Sequence, residues 1–314
     1  MALRASTDQI PNWVETPPRS PRLRHWSGVL VERMSWLDKL SMPLRNWLSQ
    51  LYGQPKQPSY RVKDALNGVW LGHPLHPALV DIPLGAWTAS FILDLVWLSE
   101  QEDGIARSSD LLMWIGLIGA TGSAVTGLTN WVDTDGPELR TGMFHALLNG
   151  GATVLNLTSA LLRLTKQRRP AIALASMAYA LAMYSAYIGG ELAYSSAIGV
   201  NHVAWESGPN RFVPVMAENS LVPGKLTRVD VAGIPAVLLK EGNTIHAIAA
   251  TCSHLGGPLD EGRCEDGIIY CPWHHSGFRL SDGSVANSPA VYAQPTFAVR
   301  VRNGNIELCR LEHA

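Results

Sequence analysis

Four long apolar segments limit what the first two thirds of this chain can fold into. They cover residues 78–98, 111–132, 143–162 and 171–190. A helix that crosses a bilayer needs about twenty mostly apolar residues, and the last three segments reach this length without an Asp, Glu, Lys or Arg. The first segment contains Asp81 and Asp94 near its ends, where a charge costs less free energy than at the bilayer centre. The sequence therefore predicts a four-helix transmembrane bundle over residues 71–200.

Composition favours a membrane protein and excludes one class of partner. Charged residues make up 16% of the 314 residues, against about a quarter in ordinary soluble domains. The net charge of -1 argues against nucleic acid as a partner. Because Asp8, Pro11 and Glu15 interrupt any apolar run at the start, we expect no cleavable signal peptide. The start also shows no twin-arginine motif, so we expect no export signal of that type.

Residues 1–70 form a basic, amphipathic segment at the N-terminus. Residues 1–22 are rich in Pro and Arg, and we expect them to be poorly ordered. From Trp26 onward, apolar residues recur at helical spacing with basic residues between them, and Pro43 marks a break in the pattern. This pattern predicts one or two helices that lie in the membrane interface. The alternative is an ordinary amphipathic helix that packs on another domain.

Two mixed pairs of metal-ligating residues lie in loops rich in Gly and Pro. The first pair is Cys252 and His254, and the second is Cys271 and His274. Two thiolates and two imidazoles can hold a [2Fe–2S] cluster in which Cys binds one iron and His binds the other. A structural zinc site also uses two Cys and two His, but its usual spacing pairs Cys with Cys and His with His. The mixed pairs therefore favour the cluster.

Over residues 212–314, these motifs resemble the Rieske iron–sulfur family. The resemblance implies two thiolates on a buried iron and two imidazoles on an outer iron, from Cys252, Cys271, His254 and His274. His275 has the wrong spacing for a ligand and is expected to be a neighbour. The resemblance also implies that residues 288–290, Ser-Pro-Ala, form a third loop that shields the cluster from water.

Departures from the family pattern narrow the class of cluster. Members that oxidise quinols carry an extra Cys in each loop, joined by a disulfide, and the matching positions here are Gly257 and Trp273. The loop serine is kept as Ser276, but the usual Tyr two residues later is Phe278. Because hydrogen bonds to cluster sulfurs raise the reduction potential, the missing hydroxyl should lower it. The resemblance is closer to Rieske-type ferredoxins than to a quinol oxidase.

Short runs of β-forming residues follow a polar linker at residues 201–211. They cover residues 226–231, 236–240, 244–250, 267–270, 296–302 and 305–308. Asn303-Gly304 between the last two runs is a strong hairpin signal. The fold class predicted for the whole chain is therefore multi-domain, a transmembrane helical bundle followed by an antiparallel β domain of sandwich or small-barrel type. Cys264 and Cys309 have no assigned role and are expected to be buried free thiols.

A second resemblance covers the membrane region, about residues 70–200. The stretch His73-Pro74-Leu75-His76-Pro77 resembles an uncharacterised bacterial membrane family, domain of unknown function 2231, which is related to two-haem membrane cytochromes. Four spans would bring the N-terminus, the loop at 132–143 and the β domain to one side of the membrane. Four histidines would then lie near that face: His73, His76, His145 and His202. They could bind a haem b iron, another metal or a quinone; helix capping is the alternative.

These observations predict a membrane-anchored Rieske protein that transfers single electrons. A bacterial inner (plasma) membrane is the expected location, with several membrane passes and the β domain on the cytoplasmic side. The expected partners are the lipid bilayer and either a redox protein or a quinone. Membership of a larger membrane complex is a further option. One alternative is a quinol- or haem-linked oxidoreductase with its own redox site in the bundle. A Rieske oxygenase is the less favoured alternative, because the short tail after His275 contains only His313. Whether the chain is itself an enzyme stays open.

Overall fold

The computed structural model describes residues 22–206 and 208–311. The prediction for residues 1–21 lies outside this range. Within these two ranges, seven α-helices lead into a domain of ten β-strands. The three short N-terminal helices are α1 Arg22–Arg33, α2 Trp36–Tyr52 and α3 Pro58–Asn67.

The N-terminal helices are amphipathic, but they are divided at a different place from the one predicted. The chain breaks between α1 and α2 at residues 34–35, and α2 continues through Pro43. The prediction of a break at Pro43 was therefore wrong. A proline removes one helical hydrogen bond. The chain stays helical through Pro43 because Leu37 and Leu48, on one face of α2, are buried against the bundle.

Four long helices form the region in which the sequence predicts a transmembrane bundle. They are α4 Leu75–Glu100, α5 Asp103–Trp131, α6 Gly136–Leu164 and α7 Arg168–Gly190, and a π-helical turn at Glu191–Ser195 extends α7. The helices α4 and α5 pack as one hairpin, and α6 and α7 pack as a second.

Length and composition single out three of these helices. Within the described ranges, Leu75–Glu100, Asp103–Trp131 and Arg168–Ser195 are long and apolar enough to cross a membrane. The helix α6 is as long as α5, but polar side chains such as Asn149 and Asn156 lower its apolar character. The prediction of four helices in this region is confirmed, whereas apolar composition alone identifies three of them as candidate spans.

A buried network of charges joins the two hairpins at one end. Arg163 of α6 pairs with Asp94 of α4 and, at 2.9 Å, with Asp110 of α5. Arg168 at the start of α7 binds the same two carboxylates at 3.1 and 2.8 Å. Two cations therefore balance two anions, which is the arrangement that makes buried charge tolerable.

The C-terminal domain consists of three antiparallel sheets. The first has the order β1-β10-β9, the second β2-β3-β4 and the third β5-β6-β7-β8. The strand bounds are β1 Val213–Ala217, β2 Thr227–Val231, β3 Ile234–Glu241, β4 Thr244–Ala249, β5 Arg263–Glu265, β6 Ile268–Tyr270, β7 Gly277–Arg279, β8 Val285–Asn287, β9 Phe297–Arg302 and β10 Asn305–Arg310. The antiparallel β domain is as predicted, and all six predicted runs are strands.

Local sequence accounts for one hairpin and not for four of the strands. Asn303 and Gly304 both take positive φ, 51° and 75°, between the paired strands β9 and β10; this is the backbone that a two-residue hairpin turn requires. The sequence analysis missed β1, β5, β7 and β8, and the last three contain three residues each. Runs this short show no alternating pattern of apolar residues.

Candidate metal centre

Two loops with the same backbone geometry present the cysteines. In the first loop, the Cys252 N–H donates to the Gly257 carbonyl at 2.8 Å, and the Gly256 N–H donates back to the Cys252 carbonyl at 2.9 Å. In the second, the Cys271 N–H donates to the Ser276 carbonyl at 2.9 Å. Each loop thus forms a turn that begins at its cysteine, and each predicted ligand histidine lies within that turn.

The second loop also explains the role of His275. Its N–H donates to the Cys271 carbonyl at 3.1 Å, and its φ is +64°, close to the +77° of Gly256 at the same position of the first loop. Left-handed backbone is unusual for a residue other than Gly, Asn or Asp. His275 therefore closes the turn, in agreement with its interpretation as a neighbour of the ligands.

The side chains of the four predicted ligands form a pair of thiols and a pair of imidazoles. Cys252 and Cys271 are buried, with 1% and 2% of their surface exposed. The rings of His254 and His274 lie edge to face, with 5.3 Å between centroids. This pairing fits a two-iron cluster in which the thiolates bind one iron and the imidazoles bind the other.

The two thiols are close enough to share a hydrogen bond. The Cys252 thiol donates to the Cys271 sulfur, which raises the pKa of Cys252 and lowers the pKa of Cys271 to about 7. Backbone N–H groups of Trp273 and His274 also lower the pKa of Cys271, against the effect of burial. Because the thiolate is the form that binds a metal, the second loop is prepared for ligation.

The protonation of both imidazoles also suits metal binding. Burial and the neighbouring His274 hold the pKa of His254 well below its usual value, so His254 is neutral. The Nε2–H of His274 donates to the carboxylate of Asp135 at 2.9 Å. In the neutral ring with its hydrogen on Nε2, Nδ1 is the atom that presents the lone pair a ligating histidine needs.

The surroundings of the cysteine sulfurs agree with the departures from the family pattern at Gly257 and Phe278. A Cβ on Gly257 would lie 2.7 Å from the Cys271 Sγ, so the loop has no room for a larger residue. The Ser276 hydroxyl accepts the Ala290 N–H at 3.1 Å, which leaves its own hydrogen for a sulfur. Phe278 is fully buried in the same core as both cysteines. Cys264 and Cys309 form no disulfide, as predicted, but they are half-buried where the sequence analysis expected buried thiols.

Comparison with known proteins agrees with this geometry. Residues 211–298 match the model of the Rieske [2Fe-2S] domain. The chain is 30% identical over 96 residues to ferredoxin CarAc of Metapseudomonas resinovorans, an alignment that covers 30% of this chain and 90% of the ferredoxin. The chain belongs to the Rieske iron–sulfur family. Its residues 72–202 match the model of a second family, described as "Predicted membrane protein (DUF2231)".

Two further matches to the Rieske domain are also named as ferredoxins. The ferredoxin component of the alkene monooxygenase system of Xanthobacter autotrophicus is 30% identical over 96 residues, 30% of this chain and 78% of that protein. Among solved structures, the ferredoxin of carbazole 1,9a-dioxygenase from Nocardioides aromaticivorans is 28% identical, with 32% of this chain and 98% of that chain covered and a TM-score of 0.31.

The face of the Rieske domain that carries His274 contacts the helical region. Asp135, the residue before α6, accepts the bond from His274 and forms an ion pair with Arg45 of α2 at 2.7 Å. Partial burial would raise the pKa of Asp135, but its bonds to His274 and Arg45 outweigh that effect and lower it. The carboxylate is therefore charged at neutral pH beside His274, one of the predicted ligands.

The third loop of the Rieske domain contacts α3. The Tyr60 hydroxyl donates to the Ser288 carbonyl at 2.9 Å, and the Ser288 N–H donates to Asp64 at 2.8 Å. Nearby, Lys63 and Asp133 form a buried ion pair at 2.7 Å. Sequence reasoning gave no role to Tyr60 or Asp64, because no local pattern marks a residue whose contacts lie in another domain.

The four histidines of the predicted membrane face have different surroundings. His202 lies beside the cluster loops, where its N–H donates to the Ser253 carbonyl at 3.1 Å. His73 is exposed, and its Nδ1 is bonded to the adjacent Pro74 carbonyl. His76 and His145 are half-buried within the helical hairpins.

Proposed function

We propose that this protein is a membrane-anchored electron-transfer protein that carries single electrons between its Rieske centre and a partner or cofactor of the membrane region. When bound, the [2Fe–2S] cluster supplies one-electron redox chemistry. The contact between the ligand His274 and Asp135 of the helical region is the main support, because it turns an iron ligand towards the protein's own membrane domain. The ferredoxin relatives, one of them named as a component of a monooxygenase system, support a role as carrier.

We propose that all four long helices cross the membrane. Asp135 before α6 meets the Rieske domain, whereas Arg163 near the end of α6 meets Asp94 near the end of α4. The 29 residues of α6 correspond to about 43 Å of helix, more than the roughly 30 Å of a hydrocarbon core. An even number of crossings returns the chain to the side on which it began, which agrees with the contacts between α3 and the Rieske domain.

The proposed domains are residues 1–70, 71–200, 201–211 as linker and 212–314. In the first, large apolar side chains on the faces of α1 and α2 that do not pack on the bundle are exposed: Trp26, Leu30, Trp36, Leu40, Trp47 and Leu51. We propose that this surface lies in the membrane interface, where Trp is favoured. The bacterial inner membrane, with the Rieske domain in the cytoplasm, remains the proposed location.

A second candidate is an oxidoreductase with its own redox site in the bundle. The half-buried pair His76 and His145 favours it, since both belong to the helical region and not to the cluster loops. Haem and quinone are the two ligands considered for such a site.

Spin-resonance spectra of the full-length protein in detergent test the proposed centre. We expect the dithionite-reduced protein to give the Rieske signal and Cys252→Ser to lose it. Cys264→Ser is the matched control, since Cys264 is a half-buried free thiol outside the ligand set. The assignment fails if the protein holds iron and sulfide but is silent after reduction, or if only the Cys264 variant loses the signal.

A further inference from the structure

Two aspartates lie in the apolar part of α4, and they differ in their surroundings. Asp94 is buried and pairs with Arg163 and Arg168. Asp81 is exposed on the outer side of the helix. Within residues 22–206 and 208–311, its carboxylate accepts no hydrogen bond and forms no ion pair. The helix therefore carries one charge that its neighbours balance and one that the described residues leave unbalanced.

The packing of α4 on α5 places Asp81 deep in the proposed span. A Cβ on Gly119 of α5 would lie 2.6 Å from the Cγ2 of Ile82, so these two residues are at one level. Gly119 is about 24 Å from the start of α5 at Asp103 and about 18 Å from its end at Trp131. In a hydrocarbon core about 30 Å thick, Asp81 is therefore close to the centre. The sequence analysis expected it near an end, because the sequence does not show that α5 extends beyond the start of α4.

The face of α4 that carries Asp81 is otherwise apolar and partly flat. Its exposed members recur at the spacing of one helical stripe, and they are Ala78, Asp81, Ile82, Gly85 and Ile92. Charged side chains at the centre of a membrane helix are rare, and they face a bundle interior, a water-filled cavity or each other. A face that exposes Asp81 to lipid departs from this rule, so we expect protein to cover it.

Gly85 on the same face has no packing reason within the chain. A Cβ on Gly85 would have no atom within 4 Å, whereas a Cβ on Gly116 or Gly119 of α5 would lie less than 3 Å from a side chain of α4. Glycine inside a helix lowers the stability of that helix relative to alanine. Small residues at a helix surface let a second membrane helix approach closely. Gly85 is therefore a second, separate indication of a helix packed against this face.

We propose that this face of α4 pairs with the same face of a second copy of the chain. Two copies inserted in one orientation have parallel α4 helices, so a residue at the two-fold axis faces its own counterpart at the same depth. A carboxyl group without a cation takes up a proton in apolar surroundings, and it then has both a donor and an acceptor. The two Asp81 side chains thus form two reciprocal hydrogen bonds.

A second copy satisfies Asp81 without any further residue. A different membrane protein would need its own donor or cation at the same depth, whereas a copy supplies one by symmetry. Ala78, Gly85 and Ile92 are spaced by seven residues, the repeat of helices that cross at about +20° and stay in contact over several turns. The pairing rests on the proposed crossing of the membrane by α4, and it does not depend on electron transfer.

Cross-linking of the full-length protein in membranes tests the pairing. Ala78→Cys and Ile118→Cys each add one thiol at an exposed position, on α4 and on α5. After mild oxidation we expect a covalent dimer of the Ala78 variant, because equivalent residues near the axis meet. The Ile118 variant should give only the wild-type background. Equal cross-linking of both variants, or none of the Ala78 variant above that background, overturns the proposal.

Sedimentation in density-matched detergent measures the strength of the pairing. Asp81→Leu removes both hydrogen bonds and should weaken dimerisation about tenfold. Asp81→Asn should keep most of the affinity, because an amide also donates and accepts. Gly85→Leu should separate the helices, and Gly150→Leu is its matched control, since Gly150 on α6 is exposed and a Cβ there also has no atom within 4 Å. The visible absorption of the cluster checks the folding of each variant.

Extraction of the membranes with alkaline carbonate separates this proposal from the proposed crossing. A wild-type chain that stays in the membrane but is monomeric overturns the pairing and leaves the crossing intact. A chain that carbonate releases refutes both. A dimer that keeps its affinity in Asp81→Leu and in Gly85→Leu, or a wild type that associates only with a different membrane protein, also overturns the pairing. Electron transfer plays no part in these measurements, so its failure is recognised separately.

Discussion

Asp135→Asn tests the contact between the membrane domain and the iron ligand. The substitution removes one negative charge and leaves the shape of the side chain almost unchanged. The Asp135 carboxylate lies 2.9 Å from the Nε2 of His274. Adding an imidazole ring and a metal–nitrogen bond of about 2 Å gives roughly 7 Å from the carboxylate to an iron. Reduction adds a negative charge at that distance, so loss of the carboxylate should favour the reduced state.

The size of the effect follows from Coulomb's law. The Asp135 side chain is 61% exposed, so the effective dielectric constant lies towards that of water, about 40–80. At roughly 7 Å this gives about 0.6–1.2 kcal/mol. For one electron, 1.4 kcal/mol corresponds to about 59 mV, so the reduction potential should rise by about 25–50 mV.

A redox titration followed by spin resonance measures this shift. Arg45→Gln removes the cation paired with Asp135 and should move the potential in the opposite direction. Tyr60→Phe is the neutral control, since it removes a docking hydrogen bond without changing any charge. A fall in potential for Asp135→Asn, or an equal shift in the Tyr60 variant, would refute the electrostatic argument.

Two further substitutions test the sulfur environment and the buried charges. Phe278→Tyr should raise the reduction potential, because Phe278 is fully buried in the core of the cluster cysteines and a new hydroxyl there can donate to sulfur; a titration without an increase contradicts this account. Asp94→Ala should lower the detergent melting temperature, since it leaves Arg163 and Arg168 with Asp110 alone, and breaking a buried ion pair costs about 3–5 kcal/mol. Asp103→Ala at the helix start is its control, and equal melting of both variants argues against the network.

Local chemistry explains how much of the cluster site could be predicted. Cys252, His254, Cys271 and His274 stand at fixed spacings in two short loops, so the spacing alone identified the pairs. The backbone symmetry of the loops was not predictable, because it places His275 where a glycine is normal. Long apolar runs likewise indicated the four helices, whereas three of the four three-residue strands were missed because they have too few positions to show a pattern.

The orientation of the two domains relative to each other could not be predicted from local sequence patterns. The contacts of Asp135 with His274, of Tyr60 with Ser288 and of Lys56 with Asp266 join residues that are far apart in sequence. Each involves an ordinary polar residue that could equally face solvent. The sequence singled out His76 and His145, but their contacts with the Ser123 and Ser185 carbonyls became visible only when each helix faced its histidine.

These contacts also bear on where an electron acceptor can bind. A soluble acceptor that approaches the ligand histidines meets α3 and the start of α6, because the Rieske domain is held there through Ser288 and through His274 itself. The buried ion pair of Lys63 and Asp133 lies close to the same interface. Separation of the domains would therefore expose an ion pair that is now buried. An acceptor within the membrane region needs no such separation. We therefore expect the shorter route for an electron to run from His274 through Asp135 into the helical region.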